Sequence, residues 1–139
     1  MDKEKTYKDC YKIIKPYIKQ KLMGPIFRGQ IYNSIDKNLF ISEFNNDELI
    51  GFCVLRFLKK TSIYSLDKIA VDERFLNTGL GKKMLLNALL LSKNELKLEV
   101  AANNAKAINF YIKHQFEVIN EKFVGKNKDT KLIVMKYKA

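Results

Sequence analysis

The stretch Ile69–Met84 reads IAVDERFLNTGLGKKM, and its reading decides how the rest of the chain is understood. A β-capable run, Ile69-Ala70-Val71, gives way to a polar turn and then to Gly79-Leu80-Gly81 at the head of an amphipathic helix. A helix start leaves its first backbone N–H groups unpaired and carries the positive end of the helix dipole. Strand, glycine turn and helix together therefore make an anion site. Glycines at 79 and 81 remove the Cβ atoms that would hold a bulky anion away from those N–H groups. Lys82 and Lys83 follow directly; lysines there oppose the dipole and ask for a nearby anion. Taken alone, a Gly-x-Gly at a helix start is weak evidence for an anion site, and plain close helix packing is the commoner reading.

Working downstream, a second block at 98–111 reads LEVAANNAKAINFY. Leu96, Leu98 and Val100 alternate with Lys97 and Glu99, the pattern of a strand covered on one face. Asn103 or Asn104 caps the following helix, whose apolar stripe is Ala107, Ile108, Tyr111 and Ile112. Asn104 and Tyr111 are seven residues apart and so share a helix face. Two more strands, Phe116 to Lys122 and Leu132 to Tyr137, close the chain.

Upstream, Tyr7, Tyr11, Ile14 and Ile18 recur near helical spacing, predicting a first helix that ends before Gly24-Pro25 and is either kinked or divided at Pro16. A second short helix is predicted to begin near Pro25. Phe40 to Phe44 and Leu49 to Leu58 flank Asn45-Asn46-Asp47, a hairpin signature, and Ile63 to Val71 is a third strand. Two helices, three antiparallel strands, then helix, strand, helix and two strands predict a mixed α/β sheet with helices on both faces.

Composition limits the function classes. The 139 residues read as one domain, 1–139, large enough to bury a core without disulfides or metal. Cys10 and Cys53 lie in unrelated segments and His114 is the single histidine, so no metal site is expected. Reduced thiols, and a start without an apolar run, predict a cytoplasmic protein with no membrane span. The net charge is +11, concentrated at the ends: residues 1–38 carry nine basic and four acidic side chains, and residues 120–139 six and two. Such a field suits acidic partners, including nucleic acid or the ribosome, while a solvated lysine-rich surface is the simpler and favoured reading.

With this order of elements and these two blocks, the chain resembles the GNAT superfamily of acetyl-CoA-dependent N-acetyltransferases. The resemblance is specific over Leu66–Phe116. That family's cofactor loop runs Gln or Arg, two variable residues, Gly, one variable residue, then Gly or Ala. Here those positions are Leu76, Asn77, Thr78, Gly79, Leu80 and Gly81, so the first departs from the pattern and Asn77 replaces a common extra glycine. Glu73 stands where a proline is frequent. The second block supplies Leu98, Val100, Asn104, Ala107, Tyr111, Gln115 and Phe116, with Gln115 in place of the family's glycine.

The resemblance implies a GNAT-like, mostly antiparallel sheet and acetyl-CoA as co-substrate. It implies that Ile69, Ala70, Val71, Leu76 to Lys82, Asn104 and Ala107 hold that co-substrate, with Tyr111 near its sulfur. A phenol there can protonate the departing thiolate; the alternative for Tyr111 is a core aromatic. The thioester carbonyl is expected to meet a backbone N–H at the splayed end of the Ile63–Val71 strand. Glu99 is the first candidate base, expected to be partly buried with a raised pKa, against the alternative of a strand glutamate paired with a neighbouring lysine. Asp67 is the second. The acceptor is an amine on a small molecule, a protein N-terminus, an aminoacyl-tRNA or a ribosomal protein. A non-catalytic CoA- or nucleic-acid-binding module on the same fold, and a homodimer, both stay open.

Overall fold

The computed structural model describes residues 1–138. Its elements run α1 (Lys3–Lys19), α2 (Arg28–Asp36), β1 (Phe40–Asn45), β2 (Glu48–Leu58), β3 (Ile63–Val71), a 3-10 turn (Glu73–Phe75), α3 (Leu80–Leu91), β4 (Leu96–Ala101), α4 (Ala105–Lys113), β5 (Phe116–Val124) and β6 (Thr130–Tyr137). This is the order the sequence predicts. Two helical details differ. Pro16 neither divides nor ends α1, because it lies in the last turn, where a missing N–H costs one hydrogen bond. The second helix begins at Arg28 rather than Pro25. Ile26 is buried and holds the approach extended, and the Gln30 side chain accepts the Phe27 N–H at 2.9 Å.

The six strands form one sheet in the order β1-β2-β3-β4-β6-β5. Only β3 and β4 are parallel. Apolar side chains fill both faces. On one, Cys10, Ile13 and Ile14 of α1 and Ile31 of α2 meet Phe52, Val54 and Ala70. On the other, Met84, Leu85 and Ala88 of α3 and Tyr111 of α4 meet Leu55, Leu66, Leu98 and Met135. The α4 stripe packs on the sheet at Ala107, Ile108 and Tyr111 as the periodicity predicts, whereas Ile112 is 53% exposed.

Gly51 lets α3 come close to the sheet. A Cβ there would stand 3.0 Å from Met84 Cε and 3.2 Å from Leu80 Cδ2, so the first turn of α3 rests on bare backbone.

The departures from the family pattern at Asn77 and Gln115 have a backbone explanation. Both residues sit in the left-handed region, with φ of 62° and 72°. Glycine enters that region without steric cost, and asparagine is among the few side chains that tolerate it. Gln115 has no such excuse, and its side chain gains only a long 3.4 Å contact with the Tyr137 hydroxyl. Gln115→Gly is therefore expected to leave stability unchanged or raise it by up to about 1 kcal/mol, the relieved strain outweighing glycine's added chain entropy. Urea unfolding measures this. A loss of stability of similar size would show that Gln115 is held by contacts stronger than those seen.

Candidate active site

The site begins with a defect in strand pairing. Along β2 and β3, Val54 faces Lys68 while Leu55 faces Leu66, which leaves Asp67 as an extra residue in a bulge. At the same level β3 stops pairing with β4: the parallel register ends at Leu66↔Leu98. Beyond it the two strands part. The Asp72 N–H donates to Ile50 on β2 at 2.8 Å. Since successive residues of a strand alternate sides, the backbone groups of Ile69 and Val71 turn the other way, into the gap. There the Tyr17 hydroxyl of α1 donates to the Val71 carbonyl at 2.6 Å. Burial, then the charges of Glu73 and Asp72, push the Tyr17 phenol up to about 12, so it stays a donor.

The gap opens into a cavity of about 830 Å³. Ile69 contributes from β3, Glu99 and Ala101 from β4, and Asn104, Ala107 and Tyr111 from α4. The loop at 22–25 between α1 and α2 closes one side, and Thr130 and Leu132 of β6 another. A second groove of about 410 Å³ shares Arg56, Asp67 and Glu99 with it and runs out beneath Gln30 and Asn33 of α2.

Tyr111 is 7% exposed, between Phe110 and Phe116 at ring separations of 5.4 and 5.6 Å. Its hydroxyl has no hydrogen-bond partner among the described residues, and no fully buried side-chain polar atom there is left unpaired. The hydroxyl therefore meets the cavity rather than the core. Burial, then the neighbouring Cys53, raises the phenol's pKa, so it carries its proton at neutral pH. Cys10 and Cys53 themselves are buried free thiols.

Asn104 is the N-cap of α4: its side-chain oxygen accepts the Ala107 N–H at 3.2 Å, and its amide donates to the Leu22 carbonyl at 3.4 Å. Asn103 donates likewise to the Lys21 carbonyl at 3.2 Å. The two asparagines thus tie the α1–α2 loop over the cavity. His114 lies outside it, closing α4 with its Nδ1 2.8 Å from the Phe110 carbonyl.

The residues of the glycine loop, Leu76, Asn77, Thr78, Gly79, Leu80, Gly81 and Lys82, do not line the cavity; a Cβ on Gly81 would reach Phe110 of α4 at 3.7 Å and Val71 of β3 at 3.9 Å. Gly79 is the N-cap of α3 at φ 87°, and no side chain caps the helix. The Thr78 hydroxyl turns to the Phe75 carbonyl at 2.6 Å, and the first turn of α3 closes with Lys83 N–H to Gly79 at 3.0 Å. The N–H groups of Leu80, Gly81 and Lys82 are left without intrahelical partners. Lys83 is engaged by Glu43 at 2.6 Å, and Lys82 is not.

Of the other anticipated residues, Ala70 turns into the core under α1 and α2, and Val71 packs toward α3 and α4. Glu99 is more open than its strand pattern suggests. Its side chain is 35% exposed, and Lys122 of β5 holds the carboxylate at 2.6 Å. Asp67 is more tightly bound, to Arg56 Nε at 2.9 Å and Ser65 Oγ at 2.8 Å. Arg56, Lys68 and Lys122 escape a sequence reading because they reach the cavity from three different strands. The single available signal is in IYSLDKIAV: Ser65 and Leu66 are both buried, which breaks strand alternation one residue before the bulge.

Residues 6–116 match the acetyltransferase (GNAT) family, and the chain belongs to it. No curated protein matches the sequence. Among solved structures, Ard1 from Thermoplasma volcanium superposes with a TM-score of 0.74 at 21% identity, covering 91% of this chain and 86% of that one. The ribosomal-protein-S18-alanine N-acetyltransferase from Escherichia coli gives 0.68 at 20% identity, covering 93% and 84%. A putative streptothricin acetyltransferase from Bacillus anthracis str. Ames, solved with acetyl coenzyme A, gives 0.64 at 26% identity, covering 72% of this chain. The present chain spans 61% of that protein's length. Among the described residues no helix is long and apolar enough to cross a membrane.

Asn104→Ala removes both a helix cap and a loop tether. It is expected to cost about 1 kcal/mol of stability and to speed amide hydrogen exchange in residues 20–27 ahead of the rest of the chain. Exchange read by mass spectrometry checks this; unchanged protection of that loop would mean Asn103 suffices.

Proposed function

We propose that this protein transfers the acetyl group of acetyl-CoA to a primary amine by direct attack, both substrates being held in the split between β3 and β4. The observation that carries the reading is Tyr111: a protonated hydroxyl without a partner, turned into the cavity at the point where the strands part. Membership of the acetyltransferase (GNAT) family supports it, as does likeness to a protein solved with acetyl coenzyme A. The structural neighbours include enzymes named for an alanine of a ribosomal protein and for streptothricin, which keeps both small molecules and protein N-termini as acceptor classes in this reading.

The residues fit such a co-substrate. Three unpaired N–H groups at an uncapped helix start suit a diphosphate, and a cavity of about 830 Å³ suits a pantetheine arm. Acetyl-CoA supplies an activated thioester and a thiolate leaving group. The backbone N–H groups of Ile69 and Val71 face the gap and polarise the carbonyl. Asn104 and Ala107 line the arm's path along α4. Glu99 takes the amine's proton, directly or through water; with one ion-pair partner it is freer to do so than Asp67, which is held by Arg56 and Ser65. As the new C–N bond forms and the C–S bond breaks, Tyr111 donates its proton to the sulfur. No covalent enzyme intermediate is needed, and neither buried cysteine lines the cavity.

CoA is expected to raise the melting temperature, since a ligand at about 100 times its Kd stabilises the native state by roughly 2.7 kcal/mol. Lys82→Glu tests where it sits. Lys82 is exposed and, among the described residues, has no ion-pair partner, so the variant folds. A carboxylate beside the first turn of α3 repels a diphosphate, so the CoA-induced shift should shrink markedly; a full shift would place the diphosphate elsewhere.

Tyr111→Phe leaves the aromatic packing in place and removes one oxygen. If the hydroxyl serves the sulfur, kcat falls by roughly 10²-fold or more with acetyl-CoA binding little changed. Steady-state thiol release provides the measurement, and wild-type turnover would remove Tyr111 from the mechanism.

A further inference from the structure

The charges around the cavity do not balance. Its two carboxylates are already taken, Asp67 by Arg56 and Ser65, and Glu99 by Lys122. Lys21, Lys68 and Lys97 line the same cavity, and among the described residues none of them has a carboxylate within ion-pair distance. Lys68 follows the bulge residue directly and reaches the α1–α2 loop, where, among the described residues, its ammonium has only the Gly24 carbonyl at 3.4 Å. Burial lowers its pKa, opposed by the charge of Asp67, as for a cation short of a counter-ion. Lys97 lies on the same face of β4 as Glu99 and directly opposite Lys136, a like-charged cross-strand pair. Lys136 turns to Glu95 at 3.6 Å, leaving Lys97 alone. The diphosphate assigned to the start of α3 has its own donors there, the N–H groups of Leu80, Gly81 and Lys82, and that loop does not line the cavity.

We infer that the acceptor is an amine accompanied by a carboxylate, which Lys68 and Lys97 hold while the amine reaches the split between β3 and β4. The inference rests on the acetyl-transfer reading and specifies its second substrate. It also predicts what the enzyme refuses: a polycationic amine enters a wall that already carries surplus positive charge. A carboxylate gives Lys68 the hydrogen-bonded ion pair it lacks, and a carboxamide of the same shape does not.

Two matched pairs of acceptors test this in the whole protein with acetyl-CoA and thiol-release detection. Alanine against alaninamide isolates an α-carboxylate, and aspartyl-alaninamide against asparaginyl-alaninamide isolates a side-chain carboxylate at a peptide N-terminus. Spermidine is the polycation. In at least one pair the carboxylate member should be favoured in kcat/KM by about 10-fold or more, the scale of a charge-assisted hydrogen bond in a partly buried site, and the pair that shows it identifies the source. Lys68→Met should bring that ratio close to one, and Lys68→Arg should keep most of it. Ratios near one in the wild type, a preference for spermidine, or an unchanged ratio in Lys68→Met would each overturn the inference while leaving acetyl transfer intact. If Lys68→Met does not fold, the wild-type ratios decide alone. Absence of turnover with all five acceptors, in a protein that still shows the CoA thermal shift, overturns this inference, whereas loss of the CoA shift itself removes the acetyl-transfer reading.

Discussion

Everything functional in this fold depends on two neighbouring strands that cannot stay paired. A parallel pair needs matched, evenly spaced backbone groups on both sides. The extra residue at Asp67 spoils that spacing on β3, and pairing with β4 ends one residue earlier, at Leu66. Backbone donors and acceptors turned into the resulting gap need partners from outside the sheet. Tyr17 satisfies the Val71 carbonyl, and the rest face the gap. The bulge that interrupts the sheet thereby stands at the mouth of the cavity.

The split is kept open from both faces. On the α3/α4 side, Leu66, Leu98 and Met135 pack against Met84, Leu85 and Tyr111, so the strands stay anchored up to the point where they diverge. On the opposite side the α1–α2 loop is held down by Asn103 and Asn104. Asn104 thereby does three things with one side chain: it starts α4, sets the height of Tyr111 two turns later, and ties the loop across the cavity mouth. Such sharing couples cavity shape to helix geometry.

Charge divides the site into two anion-seeking regions. The first turn of α3 offers backbone N–H groups and the helix dipole, with Lys82 unpaired beside it. The cavity offers ammonium groups whose natural partners are already committed. Much of the +11 net charge is spread over the two ends of the chain, and a small local surplus lies around Lys68 in the cavity.

The amino-acid sequence by itself determined what is local. Gly79-Leu80-Gly81 marks a helix start, Asn104 a cap, and the spacing from Asn104 to Tyr111 a shared face, because each rests on backbone geometry spanning a few residues. The order of helices and strands follows from periodicity for the same reason. The positive φ of Asn77 and Gln115 accounts for where the chain departs from its family's glycines without leaving the fold. Only the tertiary structure decided which strands neighbour one another, that the glycine loop lies outside the cavity, and that Glu99 meets Lys122 rather than an apolar pocket. It alone brought Arg56, Lys68, Lys97 and Lys122 from β2, β3, β4 and β5 to one wall. Their charges are legible in the sequence, but their surroundings are not, because burial and ion pairing are set by chain segments dozens of residues away.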